Sequence, residues 1–140
     1  MTTPLPDKWV RKAIYDRVHN LDVGGKIIPC YDSNAENYDG DHYIIMSTQT
    51  NAQDPNKCQD GWRSTIVLEV FTRHKRNHGS RVLADDIINE MLVELEDLNL
   101  EPASTMRIHN IRYSTPNDIT DKRRNEVVHR KFLRYELEIN

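Results

Sequence analysis

The amino-acid sequence predicts an α+β fold, in which two helices pack on one face of a mainly antiparallel sheet of about five strands. Two segments, 6–21 and 81–98, carry apolar residues at the three- and four-residue spacing of an amphipathic helix. Segments 62–74 and 127–139 alternate instead with a period of two, which is typical of β-strands. A chain of 140 residues can bury one core, so a single domain over residues 1–140 is expected.

The first predicted helix lies within residues 6–21. Pro6 suits a first helical turn, and Asp7 suits the positive end of the helix dipole. The pair Gly24 and Gly25 is expected to stop the helix. The apolar face of this helix is predicted to contain Trp9, Val10, Ala13, Ile14, Val18 and Leu21.

Three strands are predicted between the two helices. Residues 26–31 favour a strand, but Pro29 confines it to a sheet edge because proline cannot donate to the hydrogen-bond ladder. Residues 42–50 form the second strand and residues 62–74 the third. The third strand places Ile66, Leu68 and Val70 on one face and Thr65, Val67, Glu69 and Phe71 on the other. Because both faces are mostly apolar, we expect this strand to lie at the centre of the sheet.

The second predicted helix covers residues 81–98, with Ser80 as its N-cap. Its apolar stripe contains Leu83, Ala84, Ile87, Ile88, Met91, Leu92, Leu95 and Leu98. Two further strands, 104–114 and 127–139, complete the prediction. The last strand should face the core with Val127, Leu133, Tyr135, Leu137 and Ile139, and the solvent with Arg130, Arg134, Glu136 and Glu138.

Three long polar connections are predicted at residues 33–41, 51–61 and 115–125. They exceed what a minimal domain of this kind requires. Long loops in a compact domain are often functional, so these segments are candidate contact regions.

Bulk composition limits the function classes. The net charge of −3 argues against a protein that coats DNA, since such proteins usually carry a basic excess. No apolar run approaches membrane-spanning length, and the first residues lack the pattern of a signal peptide, so no membrane partner is expected. Cys30 and Cys58 fit neither a zinc ribbon nor a redox pair. We expect two free thiols in a reducing cytoplasm, with a single disulfide as the alternative.

Two basic clusters occur in this otherwise acidic chain. They contain Arg73, Lys75 and Arg76 in the first case, and Lys122, Arg123 and Arg124 in the second. Such clusters can contact phosphates or can simply form solvated surface loops. His74 and His78 have the spacing of a helical metal pair, but Gly79 and the Ser80 cap follow, and no acidic partner lies between the two histidines on a helix. No metal site is therefore predicted.

Trp62 begins the central strand directly after Gly61. The preferred interpretation is an aromatic residue at the edge of the core that caps the sheet. The alternative is an anchor of a subunit interface, because tryptophan is enriched at interface hot spots.

The sequence contains no glycine-rich phosphate loop and no nucleophile elbow. We therefore predict no catalytic residues and no cofactor, and the chain is not expected to be an enzyme. The enzymatic alternative requires a pocket that gathers His42, His109 or His129 with carboxylates.

The order of the elements and the sequence pattern of each resemble those of the tail-completion (tail-terminator) and head–tail connector neck-ring proteins of tailed bacteriophages. The resemblance covers nearly the whole chain and is carried by the segments "PDKWVRKAIYDRVHNL", "HYIIMSTQT", "GWRSTIVLEVFTRH", "LADDIINEMLVEL" and "KFLRYELEIN". It implies a homo-oligomeric ring in the neck or tail of a virion, assembled in the host cytoplasm. The implied partners are neighbouring portal, adaptor and tail proteins, and genomic DNA in the lumen. The family has no catalytic residues to carry over.

The resulting hypothesis is a virion structural protein that forms a ring through which DNA passes. Under this hypothesis both basic clusters contact DNA or a neighbouring ring, and Trp62 contacts the next subunit. The alternative is a soluble nucleic-acid-binding or regulatory α+β module, which predicts salt-dependent binding of the isolated chain to DNA or RNA. Aromatic residues are not interleaved with the basic clusters, which counts against this alternative.

Overall fold

Two helices and eight strands make up the part of the chain that the computed structural model describes, which is residues 4–32, 40–53, 61–75, 81–100, 105–116 and 118–140. In chain order they are α1 (Asp7–Val18), β1 (Leu21–Val23), β2 (Lys26–Ile28), β3 (Cys30–Asp32), β4 (His42–Gln53), β5 (Trp62–Lys75), α2 (Val82–Glu94), β6 (Ile108–Ser114), β7 (Ile119–Lys122) and β8 (Glu126–Ile139). No helix within these ranges combines the length and the apolar character needed to cross a membrane.

Six strands form the main sheet, in the order β3-β4-β5-β8-β6, with β7 also paired to β8. β5 and β8 are antiparallel over their whole length, from Trp62 opposite Ile139 to Lys75 opposite Glu126. Only the pairing of β3 with β4 is parallel among the described strands. The mainly antiparallel sheet is therefore confirmed, although it has more strands than the five expected.

Both helices contribute to a single core on one face of this sheet. α1 buries Val10, Ile14 and Val18, and α2 buries Ala84, Ile87, Ile88 and Met91. They meet a layer of strand residues that consists mainly of Ile44, Met46, Ile66, Leu68, Leu133, Leu137 and Ile139. This confirms the predicted packing of two helices on one face, because all these side chains belong to one buried cluster.

β5 lies between β4 and β8, so its predicted central position is confirmed. Ile66, Leu68 and Val70 are buried on the helix-facing side. On the opposite side, Phe71 joins Tyr43 and Val128 in a second, smaller buried cluster. This second cluster explains why both faces of the strand are apolar although the helices cover only one of them.

The connection after α1 differs from the prediction. α1 ends at Val18, and Leu21 begins a short strand instead of extending the helical face. Gly24 and Gly25 form the turn between β1 and β2, with φ values of 60° and 85° that favour glycine. Gly25 N donates a hydrogen bond of 2.9 Å to Asp22 Oδ1, which closes this turn. The glycine pair therefore forms the turn of a hairpin. In the sequence, such a pair indicates the end of a helix and a hairpin turn equally well.

Pro29 separates β2 from β3 and thereby divides the strand predicted over residues 26–31. β3 is the outermost strand of the main sheet, so the predicted edge position is confirmed for this half. β4 continues to Gln53, which pairs with Trp62, so part of the loop predicted at residues 51–61 is strand. The remainder of that loop, most of the loop 33–41 and Cys58 lie outside the described residues.

The loop predicted at residues 115–125 is wrong in its central part. Residues Ile119–Lys122 form β7 and pair with the first half of β8. Every residue of β7 is exposed, so no alternation of apolar and polar side chains marks it as a strand. Backbone pairing with a long neighbouring strand, rather than burial, determines this element.

The ends of α2 and β8 also differ slightly from the prediction. α2 begins at Val82 with Arg81 as N-cap, without a side-chain capping bond, while Ser80 lies outside the described residues. In β8, Val127 is half-buried, and Val128 on the opposite face is fully buried. Val128 is buried because Tyr43 and Phe71 cover it.

Tyr135 ties β8 to the end of α2. Its hydroxyl donates a hydrogen bond of 2.9 Å to the carbonyl oxygen of Leu95, and burial raises the pKa of the phenol to about 12. Replacing Tyr135 with phenylalanine keeps the ring and leaves the buried carbonyl without this donor. We expect a loss of about 1 kcal/mol in the free energy of unfolding, measured by urea denaturation. An unchanged midpoint would show that the hydroxyl contributes nothing to stability.

Candidate functional site at the basic end of the sheet

Strand pairing brings the two basic clusters of the sequence to the same end of the main sheet. Lys75, at the end of β5, lies opposite Glu126 of β8, and Lys122, at the end of β7, lies opposite the next residue of β8, Val127. The five described members of the two clusters, named here the basic end, are Arg73, Lys75, Lys122, Arg123 and Arg124. Arg76 lies outside the described residues.

Two arginines of the basic end are held by carboxylates of the same chain. Arg73 Nε lies 3.2 Å from Glu126 Oε2, and Arg123 Nη1 donates to Glu126 Oε1 at 2.9 Å. Arg123 Nε also donates to Asp121 Oδ2 at 3.0 Å. The hydrogen bonds to Asp121 and Glu126 raise the pKa of Arg123. These contacts fix the β7–β8 hairpin against β5 and use part of the binding capacity of both guanidinium groups.

Lys75 and Lys122 are exposed, and their charges, unlike those of Arg73 and Arg123, are not paired with a carboxylate of the described ranges. Neither ammonium group has an ion pair to any residue in the described ranges. They flank the start of β8 on its two neighbouring strands. Their charges are therefore available to an external anionic surface, whereas those of Arg73 and Arg123 are partly neutralised.

Aromatic rings lie beside the basic end on the face opposite the helices. The guanidinium carbon of Arg73 lies 5.4 Å from the centre of the Phe71 ring, and this ring stacks on Tyr43 at 4.6 Å. The sequence did not indicate this arrangement, because Tyr43 comes from a different strand. Phe71 is 9% exposed and Tyr43 is 8% exposed. The Phe71 ring contacts the guanidinium group of Arg73. Because both rings are buried, neither offers a surface on which nucleic-acid bases can stack.

Three histidines line the helix-facing side of the sheet at the same end. His42 of β4 pairs with Thr72, and Thr72 pairs with His129 of β8. His74 of β5 lies between the two imidazoles, with ring centroids 5.3 Å from His42 and 5.8 Å from His129. We name these three residues the histidine row. Their contact was not predicted, because only the register of three strands brings them together.

Within the described part of the chain, each histidine of the row has one buried ring nitrogen without a hydrogen-bond partner, namely His42 Nδ1, His74 Nε2 and His129 Nε2. The other nitrogen of His129, Nδ1, lies 3.1 Å from Thr120 Oγ1. No group of three His, Cys, Asp or Glu residues in the described ranges is arranged to hold a metal. His78 lies outside these ranges, so the predicted absence of a site formed with His74 stays a prediction.

Burial lowers the pKa of all three imidazoles. Lys26 lowers the pKa of His42 further, His129 that of His74, and Arg81 that of His129. The carboxylates of Asp41 and Asp118 oppose these effects and are too weak to reverse them. The row is therefore neutral when folded over a range in which an exposed imidazole already binds a proton.

A depressed histidine pKa makes the stability of the fold depend on pH. The unfolded chain binds protons near the ordinary histidine pKa of about 6.5, while the folded chain binds them only at lower pH. Stability is thus fully present above about pH 6.5 and is lost as the pH falls through the folded pKa values. We expect the melting temperature to fall between about pH 7.5 and pH 5.5, as measured by circular dichroism at several pH values.

Glutamine variants separate this effect from general acid denaturation. Replacing His74 with glutamine should flatten the decrease in melting temperature. Replacing the exposed His109, which lies at the opposite end of the sheet near Asn140, should leave it unchanged. Equal slopes in wild type and the His74→Gln variant would show that the row does not control the pH dependence.

The other predicted site residues lie away from the basic end. Trp62 begins β5 opposite Ile139, thirteen residues before Lys75, which is roughly 40 Å along an extended strand. It is half-buried against the main core, and its indole nitrogen has no hydrogen-bond partner in the described ranges. This position fits the predicted role at the edge of the core; its role in a subunit interface stays a prediction. His109 lies beside Asn140 and is not a member of the histidine row, and the enzymatic alternative stays untested.

Comparison with known proteins identifies a shared fold. No protein-family model matches the sequence, and no curated protein is similar to it. A chain from a solved structure described as the virion of a native gene transfer agent particle is similar to this chain, with a TM-score of 0.60 at 12% identity. The match covers 97% of this chain and 99% of that chain. The two proteins therefore share a fold.

Proposed function

We propose that this chain is a structural protein of a phage-like virion, which forms a ring at the head–tail junction as a connector or tail-completion subunit. The observation that carries the proposal is the structural similarity to a chain of a gene transfer agent virion, which extends over 97% of this chain and 99% of the other. A small protomer of this kind fits a role in which function arises from assembly with other virion proteins and requires no catalysis.

The basic end supplies the contact surface in this proposal. It concentrates charge at one end of a chain whose net charge is −3. Exposed Lys75 and Lys122 face phosphates of the passing genome or an acidic surface of a neighbouring protein. A limited number of uncompensated cations suits a conduit, because a strongly basic lumen retains DNA through the release of many counterions.

The alternative, a soluble nucleic-acid-binding module, is favoured by one observation, the convergence of both basic clusters. It predicts that the isolated chain binds DNA or RNA with an affinity that falls steeply with salt. The buried state of Tyr43 and Phe71 argues against single-stranded substrates, because these two rings beside Arg73 are not exposed for the stacking of bases.

Electron microscopy of particles made without this chain tests the proposal. Deleting the coding sequence should give DNA-filled heads that lack tails or lose their DNA, and supplying the chain from a plasmid should restore tailed particles. Normal numbers of tailed, DNA-filled particles in the deletion would contradict the role at the head–tail junction. Binding of the purified chain to DNA in that case would favour the nucleic-acid-binding alternative.

A further inference from the structure

The outward face of α2 has no covering element in the described ranges. Val82, Asp86, Asn89 and Val93 follow one another at three- or four-residue spacing and are all exposed. The buried residues of α2, which include Ala84, Ile88 and Met91, lie on the opposite side. Val82 is 61% exposed and Val93 is 62% exposed. We name the four outward residues together with Glu90 the α2 face.

The α2 face is acidic and largely uncompensated. Residues 82–98 contain six carboxylates, Asp85, Asp86, Glu90, Glu94, Glu96 and Asp97, and no lysine or arginine. Asp85 is neutralised by Lys131 of β8, which donates a hydrogen bond of 2.5 Å. Arg17 of α1 donates to the backbone carbonyls of Glu94 and Asp97 at the far end of the helix. Asp86 and Glu90 have no ion pair within the described part of the chain.

The same chain therefore carries an acidic surface and a basic surface whose charges do not meet within one copy. Asp86 points away from the sheet, because the opposite side of α2 packs on it, whereas Lys75 and Lys122 belong to the strands. Two copies can satisfy these charges if the α2 face of one contacts the basic end of the other. A contact between two different surfaces of identical chains is heterologous, and it closes into a ring when the rotation between copies permits.

We propose that the α2 face of each subunit docks on the basic end of the next copy of this chain, with Asp86 and Glu90 facing Lys75 and Lys122. The inference deepens the proposed function, since it names the surfaces that hold the proposed ring together. Val82 and Val93 lie at the two ends of the α2 face and lose water on contact, which adds apolar burial to a charged interface. The contact should weaken with salt, because exposed charges are screened within about 10 Å at 0.1 M ionic strength.

Charge-swapped variants test this pairing directly. The Lys75→Glu/Lys122→Glu variant reverses the two unpaired charges of the basic end, and the Asp86→Lys/Glu90→Lys variant reverses the two unpaired charges of the α2 face. Light scattering after size-exclusion chromatography at about 0.05 M NaCl should show an oligomer for wild type and a monomer for each variant. An equimolar mixture of the two variants should assemble again, as should a chain that carries all four substitutions. Raising the salt to about 0.5 M should dissociate each assembly.

Rescue by the four-substitution chain is the decisive result, because a variant that merely misfolds is not restored by two further substitutions. A wild-type chain that is monomeric at low salt would overturn the inference. An oligomeric wild type whose charge-reversed variants stay oligomeric would also overturn it, and would assign the ring contact to another surface. Neither result bears on the proposed place in the virion, which fails separately if tailed particles form without this chain.

Discussion

Replacing Ile66 with alanine should lower the free energy of unfolding by about 2–5 kcal/mol. Ile66 is 1% exposed and lies at the centre of β5, paired with Gln49 of β4 and Tyr135 of β8. Its side chain belongs to the buried cluster that joins both helices to the sheet. Truncation removes apolar contacts and leaves a cavity that this paired backbone cannot close. The loss should appear as a lower midpoint in urea denaturation with an unchanged slope.

Ile27 provides a matched control for this substitution. It is also an isoleucine in a strand, but it is 59% exposed in the β1–β2 hairpin. Replacing it with alanine should cost less than about 1 kcal/mol, which is the range of β-propensity alone. If the two variants lost similar amounts of stability, the central layer between the helices and β5 would not be the main source of the folding free energy.

Reversing the charges of Lys75 and Lys122 to glutamate should reduce the yield of tailed, DNA-filled particles by at least roughly tenfold, because each contact that loses about 1.4 kcal/mol binds about tenfold more weakly. The fold should survive, since both side chains are exposed and substitutions of this kind change stability by about 0.5 kcal/mol or less. The measurement counts particles by electron microscopy in cells that express only the variant, with the melting temperature of the purified chain determined in parallel.

Lys8 and Lys12 of α1 provide the control, because both are exposed and reversing them changes the net charge by the same amount. Lys12 lies 3.0 Å from Asp16 in an exposed helical pair, whose loss costs only a few tenths of a kcal/mol. This control variant should support normal particle yields. Equal yields for both variants would show that the basic end has no part in particle assembly.

The elements that were predicted correctly are those whose apolar side chains are buried in the core at regular spacing. α1 could be predicted because Val10, Ile14 and Val18 recur with helical spacing and all face the core. β5 could be predicted because its core-facing residues alternate over most of its length. β7 could not, since all its side chains are exposed and only its pairing with β8 makes it a strand.

The candidate site also contains features that could be predicted from the sequence and features that could not. The basic clusters are visible in the sequence because their residues are consecutive, and the register of β5, β8 and β7 then places them side by side. The histidine row could not be predicted, since His42, His74 and His129 come from three strands and meet only through their register. The pairing of Arg73 and Arg123 with Glu126 likewise depends on strand register and not on local sequence.

Quantitative mass spectrometry of purified, DNA-filled particles tests whether this chain is a component of the virion. The particles come from a culture that expresses this chain, and its amount is measured against that of the major capsid protein. We expect a low and fixed ratio that persists through stringent purification, as a single ring in each particle requires. Absence of the chain from particles, in cells where it is expressed, would contradict the proposed role in the virion and would favour a nucleic-acid-binding function.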